Sequence, residues 1–302
     1  MNAYFIGEIL KEYRTRFEIS QEDLSFGLCA VSTLSRIENG TQIPGRKLAE
    51  ALFSKMGMKT PSSATPMSRL DFKRENLEHK IIDSIANGNF DVFDTLEEYK
   101  NCGKTLDPLE KQFYIFYKAI AEDALNHNAQ KALKEYLEAI NLSIKNFSLD
   151  GVQKIRFLTR TEIMILNNIS RALYFTGKKD KAISLMEFLR TYYETREIGE
   201  EEMAKGYPVI LLNLENWYGD AGRFQEALEL SEIGIKICIN YGKLTPFPCQ
   251  LFNKGCSLVK LKRITEGKKF LSQAFSVFEA MNLTDELNYG KKWVAENLKI
   301  IF

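Results

Sequence analysis

The chain has 302 residues, 45% of them apolar, and its 41 Lys/Arg almost cancel 40 Asp/Glu to leave a net charge of +1. That length accommodates a small domain plus a body with its own core, and the near-neutral balance excludes a global electrostatic footprint for DNA. No apolar run approaches the ~20 residues of a membrane span and no basic-then-apolar leader opens the chain, while five cysteines without a CxxC pair fit reduced thiols, so the expectation is a cytoplasmic protein with no membrane partner.

Met1–Phe17 sets Phe5, Ile6, Ile9, Leu10 and Tyr13 at helical spacing, which predicts a first helix. Ser20–Gly40, SQEDLSFGLCAVSTLSRIENG, then packs two short helices and a tight turn into the pattern that presents one helix to a DNA groove. Ser20 can cap the first of these, with Asp23 three residues on as the capping-box acceptor and Leu24 and Leu28 marking the buried face. Cys29 and Ala30 read as the turn. Val31–Asn39 reads as the second helix, in which Leu34 and Ile37 face the core and Ser32, Thr33 and Arg36 point outward. Gly40 suits the left-handed position that ends a helix, and Pro44 prevents immediate continuation.

Gly45–Met56 repeats the helical pattern with Leu48, Leu52 and Phe53, completing a four-helix head. Residues 1–66 carry eight Lys/Arg against seven Asp/Glu, so the cations matter by position: Arg36 on the second helix, and Arg46 and Lys47 opening the next, where phosphates would pass. A monomer of weak affinity that gains by two-fold dimerisation fits such modest charge. Gly57–Pro66, GMKTPSSATP, has the composition of a hinge. The expected division is a helix-turn-helix domain at 1–57, a linker at 58–66 and a body at 67–302.

From Met67 onward helix follows helix, with breakers at Gly88, Gly103, Asp107-Pro108, Gly177, Gly199, Gly222, Gly242 and Pro246. ALYFTGKKDKAISLMEFL (172–189) aligns with NWYGDAGRFQEALELSEIG (216–234), and Gly177 and Gly222, like Ala182 and Ala227, are 45 residues apart. An aromatic, a turn glycine and a small residue five further on are what two antiparallel helices need where their backbones approach. A third copy has Leu261-Lys262 at the turn and Gly267 in place of the alanine, with fainter ones around Gly88-Asn89-Phe90 and Lys131-Ala132-Leu133.

Gln21, Leu24 and Ser35-Arg36-Ile37-Glu38-Asn39-Gly40 resemble the helix-turn-helix of the Xre/Cro repressor class, over residues 5–57. The segment has one residue fewer between Leu24 and Leu34 than the commonest Xre pattern and lacks its turn glycine; that shortened form is similar to the one in peptide-pheromone receptors of the RRNPP family. The body resembles a degenerate tetratricopeptide (TPR) array of about five helix pairs with residues 284–302 as a closing helix. The resemblance implies an all-α fold: a four-to-five-helix Xre/Cro-type DNA-binding head followed by a right-handed TPR-like superhelical solenoid.

In Xre-like proteins the start of the second helix contacts bases, which maps onto Val31, Ser32 and Arg36, with Thr33 beside them; Gln21 and Asn39 match phosphate-binding positions. Arg36 could be bidentate to a guanine, contributing about 1–3 kcal/mol of discrimination, or could pair internally with Glu38 or a carboxylate of the first helix. In TPR arrays the first helix of each pair lines the inner face. Fourteen residues before each small second-helix residue stands an asparagine: Asn168, Asn213 and Asn253. Such a column can pair both the C=O and the N–H of an extended peptide, although asparagines also cap and bridge helices. One turn further come Arg171, Asn216 and Cys256, and one turn earlier Met164, Val209 and Cys249, so polar rungs beside apolar pockets would suit a short hydrophobic peptide. Arg171 could take a peptide's C-terminal carboxylate or an acidic side chain, or bridge to a neighbouring helix.

The resemblance therefore implies a transcription regulator with three partners: double-stranded DNA carrying a palindromic operator, a short signalling peptide of the quorum-sensing kind, and a second copy joined through the last repeats and closing helix. Two readings compete, a TPR interaction scaffold tethered by its head and a peptide-independent repressor. No catalytic, metal or cofactor site is expected. His79 and His127 lack metal-helix spacing, and Gly103-Lys104-Thr105 imitates the end of a P-loop but has Glu98 where the first glycine belongs. The phosphatase branch of the RRNPP family has no DNA-binding head.

Overall fold

The computed structural model describes residues 4–58, 60, 68–103, 105–196 and 198–301. Most of the expected linker, together with Met1–Ala3, Lys104, Glu197, Phe302 and the side chains of Tyr4, Phe5, Glu201 and Glu202, lies outside the described residues. Those described form fifteen α-helices and one 3-10 turn, and no strand occurs among them. They divide into two compact units, one of Met1–Phe188 with Glu197–Gly199 and the other of Leu189–Arg196 with Glu200–Phe302.

The first unit opens with α1 (Tyr4–Arg16), α2 (Gln21–Ser25), α3 (Val31–Glu38) and α4 (Arg46–Lys55). Ile6, Leu10, Leu24, Leu34, Ile37, Leu52 and Phe53 meet in one buried cluster, as the spacing of apolar residues requires. Ser20 caps α2 by accepting from Asp23 N at 3.0 Å. The helix is shorter than expected, because the chain turns at Phe26–Cys29 rather than at Cys29-Ala30. Gly27 is the reason. Its φ is +76°, and a Cβ there would sit 1.9 Å from Ser143 O, so only glycine lets the turn pass the end of a body helix.

The body begins with α5 (Arg69–Ala86), α6 (Phe93–Asn101), α7 (Pro108–Asn126), α8 (Ala129–Asn141) and α9 (Arg160–Phe175). Reciprocal capping boxes open three of them: Ser68 with Asp71, Asp107 with Glu110 and Thr159 with Glu162. Helix α10 (Lys179–Thr195) starts in this unit, where the buried Ser170 Oγ donates to Ala182 O at 2.5 Å across the close approach that the small alanine permits.

The second unit contains the end of α10, then α11 (Glu200–Asp220), α12 (Phe224–Asn240), α13 (Phe247–Lys260), α14 (Ile264–Ala280) and α15 (Thr284–Leu298). Helices α5 to α14 thus form five consecutive pairs and α15 closes the chain. Helices α13 and α14 cross through Gly255 and Gly267: a Cβ on Gly267 would fall 2.8 Å from Gly255 O and 2.5 Å from Val259 Cγ2. The glycine that replaced alanine in the third repeat therefore brings two backbones together. Leu251, Leu271, Phe275, Phe278 and Val294 form the core below that crossing.

Candidate functional site

Helix α3 buries Leu34 and Ile37 completely and leaves Val31, Ser32, Arg36 and Asn39 exposed, with Thr33 half-buried. The outward face is held by a network beneath it. The Glu38 carboxylate is only 1% exposed, accepts from Arg14 Nε at 2.6 Å and Nη2 at 2.8 Å, and accepts from Gln21 Nε2 at 2.7 Å. One acidic side chain thus ties α1, α2 and α3 together. Because Arg14 takes Glu38, the internal alternative for Arg36 is closed there; its recorded side-chain contact is a 3.4 Å approach of Nη2 to Thr33 Oγ1. Gln21, expected at a phosphate, has its amide committed to Glu38 instead.

Arg46 and Lys47 also depart from expectation. Arg46 is buried, donating to Glu50 Oε1 at 2.8 Å and to both Glu78 oxygens at 3.2 Å, and Lys47 Nζ lies 2.8 Å from Glu78 Oε2. Tyr99 OH completes the site by donating to Glu78 Oε1 at 2.9 Å, and Lys47 stands 4.9 Å from the Phe113 ring centre. Both cations therefore face α5, α6 and α7 rather than a phosphate track. Burial alone would raise the Glu78 carboxyl, but Lys47 and Arg46, helped by hydrogen bonds from Lys47 and Tyr99, hold it below the ordinary carboxylate range. The head is also tied to the body by Arg156 Nη1 to Asp23 Oδ2 and Arg160 N to Ser54 Oγ, each at 2.7 Å, while Lys55 Nζ donates to Phe26 O within the head.

The residues expected along a ligand face are distributed over the two units. In the first, Asn168 is half-buried and donates to Met164 O at 2.9 Å, while exposed Arg171 approaches Asn168 Oδ1 at 3.5 Å. In the second, Asn216 and Asn253 line a cleft of about 480 Å³ between α11, α13 and α15. Asn253 Nδ2 donates to Asn216 Oδ1 and to Glu215 Oε2, each at 3.0 Å. Asn213 is half-buried and does not line the cleft, whereas Cys256 does. Phe224, Phe252, Tyr289 and Trp293 supply apolar walls, with Phe252 and Trp293 edge-to-face at 6.0 Å.

Glu215 is the cleft residue that sequence reasoning missed. It is 2% exposed, and burial outweighs the hydrogen bond from Asn253 and the nearby Gln250 amide to push its carboxyl up to about 8. A signal existed: Leu211, Leu214, Glu215 and Tyr218 follow the spacing of one helical face, and all four are buried. Among the described residues no group of three or more His, Cys, Asp or Glu is placed to hold a metal ion.

A helix-turn-helix family model matches residues 10–62, covering α2 and α3. Bacillus thuringiensis PlcR, solved in complex with the peptide PapR7 and DNA, aligns over 93% of this chain and 98% of its own, with a TM-score of 0.59 and 18% identity. The apo competence regulator ComR from Streptococcus vestibularis aligns over 97% of this chain and 98% of its own, with a TM-score of 0.56 and 13% identity. ComR from S. thermophilus, in complex with DNA and its signalling peptide ComS, aligns over 95% and 97%, with a TM-score of 0.51 and 14% identity. The fold is that of PlcR and ComR. Among curated protein sequences none matches the chain. That fold, a helix-turn-helix head followed by helix pairs, is shared over nearly the whole length of the chain. No helix among the described residues is long and apolar enough to cross a membrane.

Proposed function

We propose that this chain is a sequence-specific DNA-binding transcription regulator whose TPR-like body takes a short signalling peptide and couples its presence to DNA binding. The carrying observation is the exposed Val31, Ser32 and Arg36 face, set on the buried Arg14–Glu38–Gln21 network. Arg36 is the base reader in this account, with Asn39 at the adjoining phosphate. The working division is a head at 1–57, a linker at 58–66 and a peptide-binding and dimerising body at 67–302. A homodimer on a palindromic operator supplies the affinity that one head of balanced charge lacks.

Supporting the peptide reading, Asn216 and Asn253 carry amide groups into an aromatic-walled cleft, the mixture that grips an extended backbone and its apolar side chains. In this account a guest shifts the population of body conformations, and that shift alters DNA binding by the head. A tethered interaction scaffold is the second reading, favoured by the commitment of Arg46 and Lys47 to Glu78. Gel-shift assays on genomic fragments separate the two. Retention by the wild type that Arg36→Ala abolishes supports the regulator, and absence of retention at every peptide and salt condition supports the scaffold.

A further inference from the structure

Glu215 combines three properties rarely found together. Its side chain is removed from water, its Oε1 has no hydrogen-bond partner, and it forms part of the cleft wall. Oε2 accepts one hydrogen bond, from Asn253, and no Lys, Arg or His among the described residues pairs with the group. A buried acceptor left unmade is costly, and the cost is recovered when a donor enters. The surroundings narrow the donor's chemistry. Asp220 adds a second carboxylate to the lining, and Lys260, the one cation there, is directed to Asn297 O at 3.4 Å. Phe252, Tyr289 and Trp293 offer π faces and apolar contact, which favour a cation on an apolar carrier and disfavour an anion.

We infer that the cleft between α11, α13 and α15 is a receptor for a primary ammonium group carried on an apolar body, with Glu215 giving up its proton to solvent on binding to become the counter-charge. Two sources share that chemistry, the free α-amino end of a peptide and a lysine side chain. Asn216 and Asn253 would hold the neighbouring backbone, so the inference rests on the peptide reading and specifies which part of the guest is seated here.

The test has two arms on the full-length protein. In the first, phenethylamine and phenethyl alcohol are titrated at neutral pH with ligand-observed NMR. The amine is expected to bind about tenfold more tightly, and Glu215→Gln to reduce it to the level of the alcohol. Equal binding of the two probes, or an amine preference that survives in Glu215→Gln, overturns the inference; a melting temperature at or above wild type shows that the variant is folded. In the second arm, random heptapeptides with free or acetylated amino ends are selected on immobilised protein. Enrichment of free amino ends identifies one source, and enrichment of lysine in acetylated peptides the other, each lost in Glu215→Gln. Peptides enriched without either preference sink the ammonium site and leave the peptide reading standing, whereas a Glu215-dependent amine preference with no peptide enriched does the reverse.

Discussion

Arg14 and Glu38 meet two nitrogens to two oxygens, at 2.6 and 2.8 Å, beneath the outward face of α3. With Glu38 almost fully enclosed and also bonded to Gln21, this pair sets how α1 and α2 present the third helix. Glu38→Gln breaks the charge match and leaves the Arg14 guanidinium without its counter-ion. The head should lose about 3–5 kcal/mol, the usual cost of removing one partner of a buried pair, measured by denaturant unfolding of wild type and variant. Arg14→Lys should fall between them, because an ammonium cannot reproduce the two-pronged contact.

Arg36→Ala should behave in the opposite way. The side chain is exposed, so the melting temperature stays within experimental scatter of wild type. Operator discrimination should drop by about 1–3 kcal/mol at one base pair of each half-site, read by gel shift against a set of point-mutated operators. A uniform loss across all sequences would instead make Arg36 a phosphate contact.

The Glu78 site should respond to acid. Its carboxyl titrates below its ordinary value near 4.5 in the folded chain, so the stabilisation it gives is complete above that value and disappears as pH falls through the lowered folded one. Glu78→Gln should therefore be clearly less stable than wild type at pH 7, with the gap closing in acid, as followed by thermal melts across the range.

Glu215 should show the reverse slope. Its folded carboxyl stands near 8 against an ordinary value near 4.5, so the native state holds a proton that the unfolded chain has already released. Its contribution is most favourable below about 4.5 and is lost as pH rises through 8. The Cys238 and Cys249 thiols that face it are pushed up to about 11 by burial and remain neutral across that window. Glu215→Gln should gain on wild type steadily from pH 5 to 8, by a few kcal/mol in all, in paired melts.

Gly27→Ala should loosen the head from the body helices it touches. The added methyl meets Ser143 O at 1.9 Å, and the +76° backbone angle is itself unfavourable for alanine. Amide exchange around Phe26–Cys29 and Ser143 should accelerate, while the buried cluster of Leu10, Leu34 and Leu52 keeps its protection.

The helical plan was legible in the sequence because it depends on local rules: apolar spacing, cap residues and breakers at the turns. The helix-turn-helix was legible for the same reason, down to the Ser20 cap and the burial of Leu34 and Ile37. What escaped were pairings over long separations. Arg46 and Lys47 read as phosphate contacts because nothing near them in the chain announces Glu78, 32 residues beyond Arg46. Gly27 looked like part of a helix, since its reason for being glycine is a carbonyl in another part of the fold. Glu215 was overlooked because a glutamate is assumed to face water; the phase of its helix argued otherwise. Asn216 and Asn253 were found by counting from the repeat, and the same count singled out Asn213, which does not reach the cleft.

The crossing at Gly255 and Gly267 bears on how anything could be accommodated nearby. At that point the two helices touch main chain to main chain, with the Val259 and Leu271 side chains closing the flanks, so there is no free space for either helix to shift into. Phe252, Asn253 and Cys256 stand on the helix held by that contact, so their wall of the cleft is fixed in place opposite Tyr289 and Trp293 of α15.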